Sequence, residues 1–321
     1  MNKRISFVIA AQLIFIAPLT HAQTYPAKAV RMIVAYPPGG GTDIVGRLMA
    51  QKMTETMGQT FIVENRGGAT GNIGTEAAAH AAPDGYTILM GNVAPNAINV
   101  SLFAKMPYDP VTDFEPVSLV AVTPNILVVH PALPVKTTKD LIALAKARPG
   151  TLNYPSAGIG SSSHLAGELL AILAHVDIVH VPYKGGGPAL IDLLSGQMQI
   201  MFATMPAAMP HVKSGKVRPV AVTTIKRSQA MPELPTIGET VKDYEASTWY
   251  GLLVPARTPK NIVTTLHGQI VKILSAREMK DKLIAQGFEP VGGTPEEFGA
   301  YIKSEIAKWG KVIRTAGIKP E

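Results

Sequence analysis

The sequence predicts an α/β fold of two lobes with a ligand-binding cleft between them. Short apolar strand patterns alternate with glycine-rich turns and helical patterns, which is typical of a largely parallel sheet covered by helices. The same alternation starts again after a proline-punctuated segment, so a second unit follows the first. Each unit also contains a loop that begins with Tyr-Pro, at Tyr36 and at Tyr154, and continues into small and hydroxyl residues.

Residues 1–22 are expected to be a secretory signal peptide. Lys3 and Arg4 precede an apolar run that ends at Leu19, and Ala22 is a small residue suited to cleavage. The run is shorter than the roughly 20 residues that a membrane-spanning helix needs. We therefore expect a soluble protein that is exported to the periplasm.

The composition excludes several classes of protein. The chain has 321 residues, of which 46% are apolar and 17% charged, as in a globular protein with a substantial core. It contains no cysteine, so neither a disulfide framework nor a lipid anchor on a cysteine is expected. The formal net charge is +7, but the lysines are scattered without aromatic stacking residues among them, which argues against nucleic-acid binding. We expect a freely diffusing monomer.

The first unit opens with a strand, a glycine turn and a helix. Arg31–Tyr36 has the β-branched, apolar pattern of a buried strand, and the prolines and glycines that follow end it. A helical pattern then runs from Thr42, the expected N-cap, to a stop at Gly58. Unpaired N–H groups and the positive dipole end make such a helix start an anion site. Because the turn contains neither Lys nor Arg, backbone donors and hydroxyls are expected to hold the anion.

The remaining elements of the first unit follow the same rhythm. In order, we predict a strand at Thr60–Glu64, a helix through Thr75–His80, a strand at Tyr86–Met90, a loop at Pro107–Pro116, and strands at Val117–Val122 and Ile126–Val129. Thr123, Pro124 and Asn125 separate the last two strands, and we place the crossing into the second lobe there.

The second unit repeats the alternation and then returns to the first. We predict helices at Lys139–Ala147 and from Leu165 to Leu173, a strand at Ile178–Pro182, a helix from Pro188 to Gly196, strands at Gln199–Ala203 and Val217–Thr223, a returning run at Trp249–Val254, and helices at Ile262–Leu274, Met279–Gln286 and Pro295–Ile313. These elements assign residues 23–123 and 253–321 to lobe 1 and residues 124–252 to lobe 2.

The two Tyr-Pro loops supply most of the candidate ligand-binding residues. If each lobe contributes one loop, two helix N-termini face a molecule held between the lobes, which suits a carboxylate. The candidates are Pro38, Gly39, Gly40, Gly41, Thr42 and Asp43 in the first loop, Asn92 after the third strand, and Ser156, Ala157, Gly158, Gly160, Ser161, Ser162, Ser163 and His164 in the second loop. Two ordinary turns between strands and helices would produce the same pattern, so both interpretations stay open here.

Two of the candidates and three other residues have alternative roles. Asp43 complements the helix dipole by default, but it could also accept a hydrogen bond from a ligand amine or hydroxyl. His164 could polarise a ligand or cap its own helix turn. Lys184 and Arg66 could face the cleft or water, and Trp249 is expected in the core.

No enzyme motif has the required spacing. A dinucleotide-binding G-x-G-x-x-G beginning at Gly39 would need glycine where Ile44 stands, and neither a P-loop nor a G-x-S-x-G motif occurs. The spacing of His164, His175 and His180 does not match a zinc site, and the last two are expected at an edge or on the surface. We therefore predict no catalytic residue, no metal and no cofactor.

A set of ordered motifs along the whole chain resembles one family. The motifs are Tyr36–Asp43, Glu64–Gly68, Ala82–Thr87, Tyr154–His164, Val181–Ala189, Leu234–Thr236 and Trp249–Gly251. They resemble the solute-binding proteins of tripartite tricarboxylate transporters, the Bug family. The resemblance implies a Venus flytrap fold of the type II-like periplasmic binding proteins. It also implies that the two loops grip a small carboxylate through main-chain groups and ordered water, for delivery to a two-component membrane carrier.

The chain departs from the family pattern at two places. The turn Gly67–Gly71 is looser than usual, and Ala203-Thr204 lacks an aspartate often found there. Because an acidic side chain there would select amines or hydroxyls, the second departure leaves the ligand open among dicarboxylates, tricarboxylates, amino acids and aromatic acids. A periplasmic sensor that feeds a signalling partner is the alternative function.

Overall fold

A computed structural model of the chain describes residues 25–318. The predicted signal peptide at residues 1–22 lies outside the described residues. Within residues 25–318, no helix combines the length and the apolar character needed to cross a membrane.

Strands and helices alternate along most of the chain. The strands are β1 Val30–Val34, β2 Phe61–Asn65, β3 Thr87–Asn92, β4 Phe114–Val129, β5 Asn153–Ser156, β6 Val179–Pro182, β7 Ile200–Thr204, β8 Arg218–Val222, β9 Ser247–Pro255 and β10 Glu289–Pro290. The helices are α1 Gly41–Met57, α2 Asn72–Ala79, α3 Asn99–Leu102, α4 Thr138–Ala147, α5 Ser162–Ala174, α6 Gly186–Leu194, α7 Met205–Lys213, α8 Lys260–Ser275, α9 Arg277–Ala285 and α10 Pro295–Ala316.

The first sheet combines parallel and antiparallel strands in the order β10-β4-β9-β3-β1-β2. β1 pairs with β2 and β3 in parallel, as the sequence predicts. β9, however, inserts between β3 and β4 and is antiparallel to both. The returning run is therefore part of the sheet, and its pairing begins at Ser247.

β4 corrects the prediction of two separate strands and of a loop that reaches Pro116. It begins at Phe114 and continues through Pro124 as one long strand. Up to Pro124 it pairs with β9, and from Asn125 it pairs with β7 and β8. Proline has no N–H, and Pro124 lies where the pairing partner changes, so the missing donor falls at a break in the ladder. The sequence predicts two strands here because a proline usually ends a strand in the interior of a sheet.

Strand β1 is buried on both faces because helices cover the sheet on either side. Met32 and Val34 pack with Met49 of α1 and with residues of α8. Ile33 points to the other face, where it belongs to a cluster that includes Trp249 and residues of α10. A third cluster packs α6 and α7 against the far end of β4 and against β7. The continuous apolar strand pattern of β1 thus reflects burial on both sides.

Candidate ligand-binding site

A small cavity lies where the first loop, the second loop and the start of α7 meet. Its volume is about 40 Å³, which is room for roughly three water molecules or one carboxylate group. The lining residues are Tyr36, Gly40, Gly41, Thr42, Asn92, Ala157, Ser161, Ser162, Ser163, Gly186, Met201, Thr204, Ala207 and Tyr250. An adjoining opening of about 310 Å³ shares Tyr36 and Ala157 with this cavity. We call the two spaces the inner cavity and the outer opening.

The first loop is held from behind by the carboxylate of Asp43. This carboxylate accepts hydrogen bonds from the Gly39 N–H at 3.0 Å and from Asn65 Nδ2 at 2.8 Å. Arg47 forms an ion pair with it at 3.0 Å. Burial acts to raise the pKa of Asp43, but the hydrogen bonds from Arg47, Asn65 and Gly39 outweigh burial, and the pKa lies below its ordinary value. Asp43 therefore remains ionised and orients the loop, and it is not among the residues that line the inner cavity.

Helix α1 begins at the inner cavity without a side-chain cap. Its N-cap is Gly40, which has an extended backbone and no side chain to accept from the first N–H groups. A Cβ on Gly41 would overlap with the hydroxyl of Tyr250 and would lie 3.0 Å from Thr204 Oγ1. Only glycine allows this close approach, and the backbone donors of the first turn stay open to a ligand.

The second loop uses its own side chains to hold its shape. Ser161 is the N-cap of α5: its Oγ accepts from the His164 N–H at 3.3 Å and donates to the Gly158 carbonyl at 2.6 Å. Ser163 Oγ accepts from the Ala157 N–H at 3.0 Å. His164 Nδ1 accepts from the Gly160 N–H at 3.0 Å, which places the imidazole inside the loop as an internal cap.

A second imidazole supports this loop from below. The rings of His164 and His180 stack with centroids 4.0 Å apart, and His180 Nε2 lies 2.6 Å from Ser156 Oγ. Burial and the neighbouring His164 lower the pKa of His180 to about 3, so its ring is neutral at pH 7. Glu168 completes the group, 3.6 Å from His164 Nε2. The hydrogen bond from His164 lowers the pKa of Glu168 more than burial raises it.

The structure places the two edge histidines differently. His175 is exposed at the C-terminal end of α5, as the sequence predicts. His180 does lie on the edge strand β6, but it is half-buried and in contact with the loop. These contacts form because β6 pairs with β5, which brings His180 next to Ser156 and His164.

Two further helices begin at the same cavity. Gly186, the first residue of α6, lines it, and the N-cap of this helix is Gly185. Thr204 is the N-cap of α7, and it lines the cavity together with Ala207. Like α1, neither helix has a side-chain cap. Four helix N-termini thus converge on one small space, and three of them leave their first N–H groups free of side-chain partners.

The sequence predicts the helix α6, although from Pro188 and not Gly186, but it does not predict α7 and assigns neither helix start nor Tyr250 to the site. The glycine turn before α6 resembles the first loop, and Thr204 precedes a proline at the second helical position, so both carried a local signal. Tyr250 carried none. On β9 its neighbour Trp249 points into the core against Phe298, and Tyr250 therefore points to the opposite face, toward the cavity.

The predicted site residues fall into four groups. Those that line the inner cavity are Gly40, Gly41, Thr42, Asn92, Ala157, Ser161, Ser162 and Ser163. Those that hold the loops are Asp43, Ser156, Gly160 and His164. Gly158 lines the outer opening, whereas Pro38 and Gly39 line a separate surface depression beside α6.

Charged side chains are absent from the lining of the inner cavity within the part of the chain that the structure describes. Lys184 lines the outer opening, and Arg66 instead pairs with Glu64 on the surface. Residues 25–318 contain no group of three or more His, Cys, Asp or Glu side chains that could hold a metal ion. The positive potential of the cavity therefore comes from backbone N–H groups and helix dipoles.

The mixed sheet, the separate two-stranded sheet of β5 and β6, and the helix N-termini around the inner cavity define a two-lobed, type II-like solute-binding protein. A family model described as "Tripartite tricarboxylate transporter family receptor" matches residues 45–318, and the chain belongs to this family. The resemblance that the sequence motifs indicate is thus confirmed.

Relatives and solved structures agree with this assignment. Protein BugT of Bordetella pertussis is 39% identical over 306 residues, which cover 95% of this chain and 94% of BugT. An R. palustris protein solved with adipate is 40% identical with a TM-score of 0.91, covering 92% of this chain and 100% of that one. MatC from Rhodopseudomonas palustris, solved with bound malate, is 31% identical with a TM-score of 0.84, covering 90% and 100%. The predicted fold class is confirmed.

Proposed function

We propose that the protein captures a small carboxylate in the inner cavity and delivers it, in the periplasm, to a two-component membrane carrier. The observation that carries this proposal is the convergence of α1, α5, α6 and α7 on a cavity that no cationic side chain of residues 25–318 lines. A carboxylate at a helix N-terminus is stabilised by about 0.3–1 kcal/mol for each helix. Several helices acting on one group supply the attraction that a single arginine supplies elsewhere.

The size of the two spaces supports a ligand with a small polar head and a longer body. The inner cavity holds one carboxylate group, and the outer opening is lined by Tyr36, Phe103 and Ile159 together with Lys184. This combination accepts an aliphatic or aromatic body, and Lys184 can attract a second carboxylate.

The charge of the lining favours acids without an amine. The carboxylate of Asp43, which holds the first loop, is occupied by Gly39, Asn65 and Arg47. An ammonium group in the inner cavity would meet four positive helix ends and no ionised acceptor. The adipate and malate bound by two solved relatives are acids of this kind.

Contacts across the cleft support capture by closure of two lobes. Thr70 Oγ1 donates to the carbonyl of Ile159 at 2.5 Å and so joins the first unit to the second loop. Pro37 packs so closely against Gly185, at the start of α6 in the second unit, that a Cβ on Gly185 would overlap with the proline ring. We propose that lobe 1 comprises residues 23–123 and 253–321 and that lobe 2 comprises residues 124–252. The chain then passes back from lobe 2 to lobe 1 within β9. Closure would then bring the loops together around the ligand.

A thermal-shift screen tests the proposal. The probes are adipate, malate, citrate and benzoate, with aspartate and glutamate as amine-bearing controls, on protein verified to be free of ligand. At about one hundred times Kd, a ligand stabilises the fold by about 2.7 kcal/mol, which raises Tm by roughly 5 °C. We expect such a shift from at least one of the four acids and none from the amino acids. The absence of any shift would contradict carboxylate capture.

Uptake measurements test delivery to the carrier. A strain that lacks the protein should lose uptake of the acid that binds in the screen, and the gene supplied in trans should restore it. Normal uptake in the deletion strain would contradict delivery, while binding in the screen would still stand.

A further inference from the structure

Tyr250 is the exception among the buried tyrosines that the structure describes. Its side chain is 0% exposed, and its hydroxyl makes no hydrogen bond of acceptable geometry within residues 25–318, although the Thr204 hydroxyl lies beside it. The hydroxyls of the other four are all paired. Tyr36 donates to Thr70 O, Tyr108 to Pro95 O, Tyr154 to Glu168 and Tyr244 to Ala166 O. Buried polar groups in native proteins nearly always have partners, so this hydroxyl calls for one that is not part of the chain.

The hydroxyl of Tyr250 is aimed at the inner cavity. Tyr250 lines it together with Thr204 and Gly41, and a Cβ on Gly41 would overlap with the hydroxyl. The ring of Tyr250 packs edge-on against Phe288, with centroids 5.6 Å apart, so its direction is set by the core. Backbone donors of α1 and the tyrosine hydroxyl therefore meet at the same end of the cavity.

Burial keeps this hydroxyl protonated, so it has a hydrogen to donate. Burial raises the pKa of Tyr250 well above the ordinary value of 10.0, more than the neighbouring Thr204 hydroxyl lowers it. The group therefore keeps its proton at physiological pH. With a proton to donate and helix N-termini around it, it is complementary to an oxygen acceptor and not to an ammonium group.

We propose that Tyr250 donates a hydrogen bond to an acceptor oxygen of the bound acid and is a specificity-determining residue of the site. The assignment rests on the proposed function, because it concerns the same cavity. It adds a side-chain donor from β9, a strand outside both loops, to a cavity that is also lined by backbone N–H groups, hydroxyls and Asn92.

The test is isothermal titration of Tyr250→Phe with adipate, malate, citrate and benzoate. For the acid that binds the wild type most tightly, we expect Kd to rise about tenfold or more, as for loss of one hydrogen bond to a charged group. The Tm of the ligand-free variant should equal or exceed that of the wild type, because no hydrogen bond of the empty protein is lost. Unchanged affinity, within a factor of two, would overturn the proposal.

Tyr244→Phe is the matched control. Tyr244 is equally buried, but its hydroxyl donates to Ala166 O at 2.8 Å, away from the cavity. This variant should lower the ligand-free Tm and leave Kd unchanged. Equal losses of affinity in both variants would overturn a specific role for Tyr250.

A structure of the loaded protein gives a second readout that does not depend on a variant. An oxygen of the bound acid should lie within about 3.2 Å of Tyr250 Oη. A ligand bound without any acceptor near this atom would overturn the proposal. If the wild type binds none of the four acids, both the proposed function and the role of Tyr250 fail. If the wild type binds an acid and Tyr250→Phe binds it equally well, only the role of Tyr250 fails.

Discussion

The two Tyr-Pro loops look alike in sequence but are stabilised in opposite ways. The first is held by the carboxylate of Asp43, which accepts from Gly39 of the loop and is anchored by Asn65 and Arg47 beyond it, and the start of α1 stays uncapped. The second is held from inside, because Ser161, Ser163 and His164 bond to the backbone of their own loop. The glycines differ accordingly: Gly41 makes room for Tyr250, whereas Gly158 and Gly160 have positive φ angles of 127° and 77°.

This difference shows that a similar pattern of small residues can leave different donors for a ligand. The first loop offers backbone N–H groups, since no side chain competes for them. In the second loop the hydroxyls of Ser161 and Ser163 are engaged, while Ser162 Oγ has no hydrogen-bond partner among the described residues and lines the cavity. Variants can therefore separate loop shape from ligand contact.

The largest effect is expected from Gly41→Ala. Its Cβ would overlap with the Tyr250 hydroxyl, so the start of α1 must move away from the cavity. We expect overpacking to cost about 1–3 kcal/mol of unfolding free energy and Kd to rise about a hundredfold. Urea unfolding and isothermal titration measure the two quantities.

The double variant Gly41→Ala, Tyr250→Phe tests whether the overlap with the Tyr250 hydroxyl causes this loss of stability. Removal of the overlapping hydroxyl should restore part of the lost stability, although the ring carbon beneath it still lies 3.1 Å from the new Cβ. A double variant as unstable as the sum of the single variants would show that the clash is not with Tyr250.

A smaller effect is expected from Asp43→Asn, which removes the charge that holds the first loop. We expect a loss of about 1–3 kcal/mol at pH 7, because a buried, charge-assisted network is broken. The pKa of Asp43 is below 3.8 in the folded state, so its stabilisation is present above that pH and is lost as the pH falls through the folded pKa. Urea unfolding should therefore show a smaller difference between the proteins at pH 3 than at pH 7. A difference of the same size at both pH values would contradict this role.

Within the second loop, Ser161→Ala and Ser162→Ala form a matched pair. Ser161→Ala removes the N-cap of α5 and should cost about 1 kcal/mol of unfolding free energy. Ser162→Ala should change stability by less than about 0.5 kcal/mol and should weaken ligand binding instead. Chemical denaturation and isothermal titration of both variants measure the two effects. A larger loss of stability in Ser162→Ala than in Ser161→Ala would contradict the roles assigned to the two hydroxyls.

The smallest effect concerns His180 beneath the second loop. Its folded pKa of about 3 lies below the ordinary 6.5, so the unfolded chain binds the proton more tightly and stability falls as the pH decreases through this window. His180→Gln removes this dependence. Between pH 7 and pH 5.5 the wild type should lose less than about 1 kcal/mol relative to the variant, because the ring is only half-buried. If the unfolding free energies of the wild type and His180→Gln change in parallel between pH 7 and pH 5.5, this role of His180 is contradicted.

The elements that the sequence predicts correctly are those whose patterns are local. The strand β1, the glycine turn and the helix α1 follow one another within about thirty residues, and their apolar periodicity and turn residues are visible in that stretch. The second loop was visible for the same reason. The structure brings residues of both loops to one cavity, including Gly40 and Ser161.

The residues that were missed depend on contacts between distant parts of the chain. Tyr250 reaches the cavity because β9 pairs with β3 and β4, more than one hundred residues earlier in the chain. His180 supports the second loop because β6 lies beside β5. The sequence by itself determined the alternation of elements, the presence of a helix after each loop and the family resemblance, since turn chemistry and periodicity act over a few residues. The expected N-cap Thr42 was wrong, because α1 begins at Gly41 with Gly40 as its N-cap. Only the tertiary structure decided which donors remain free, because that depends on what each buried polar group meets after the strands have paired.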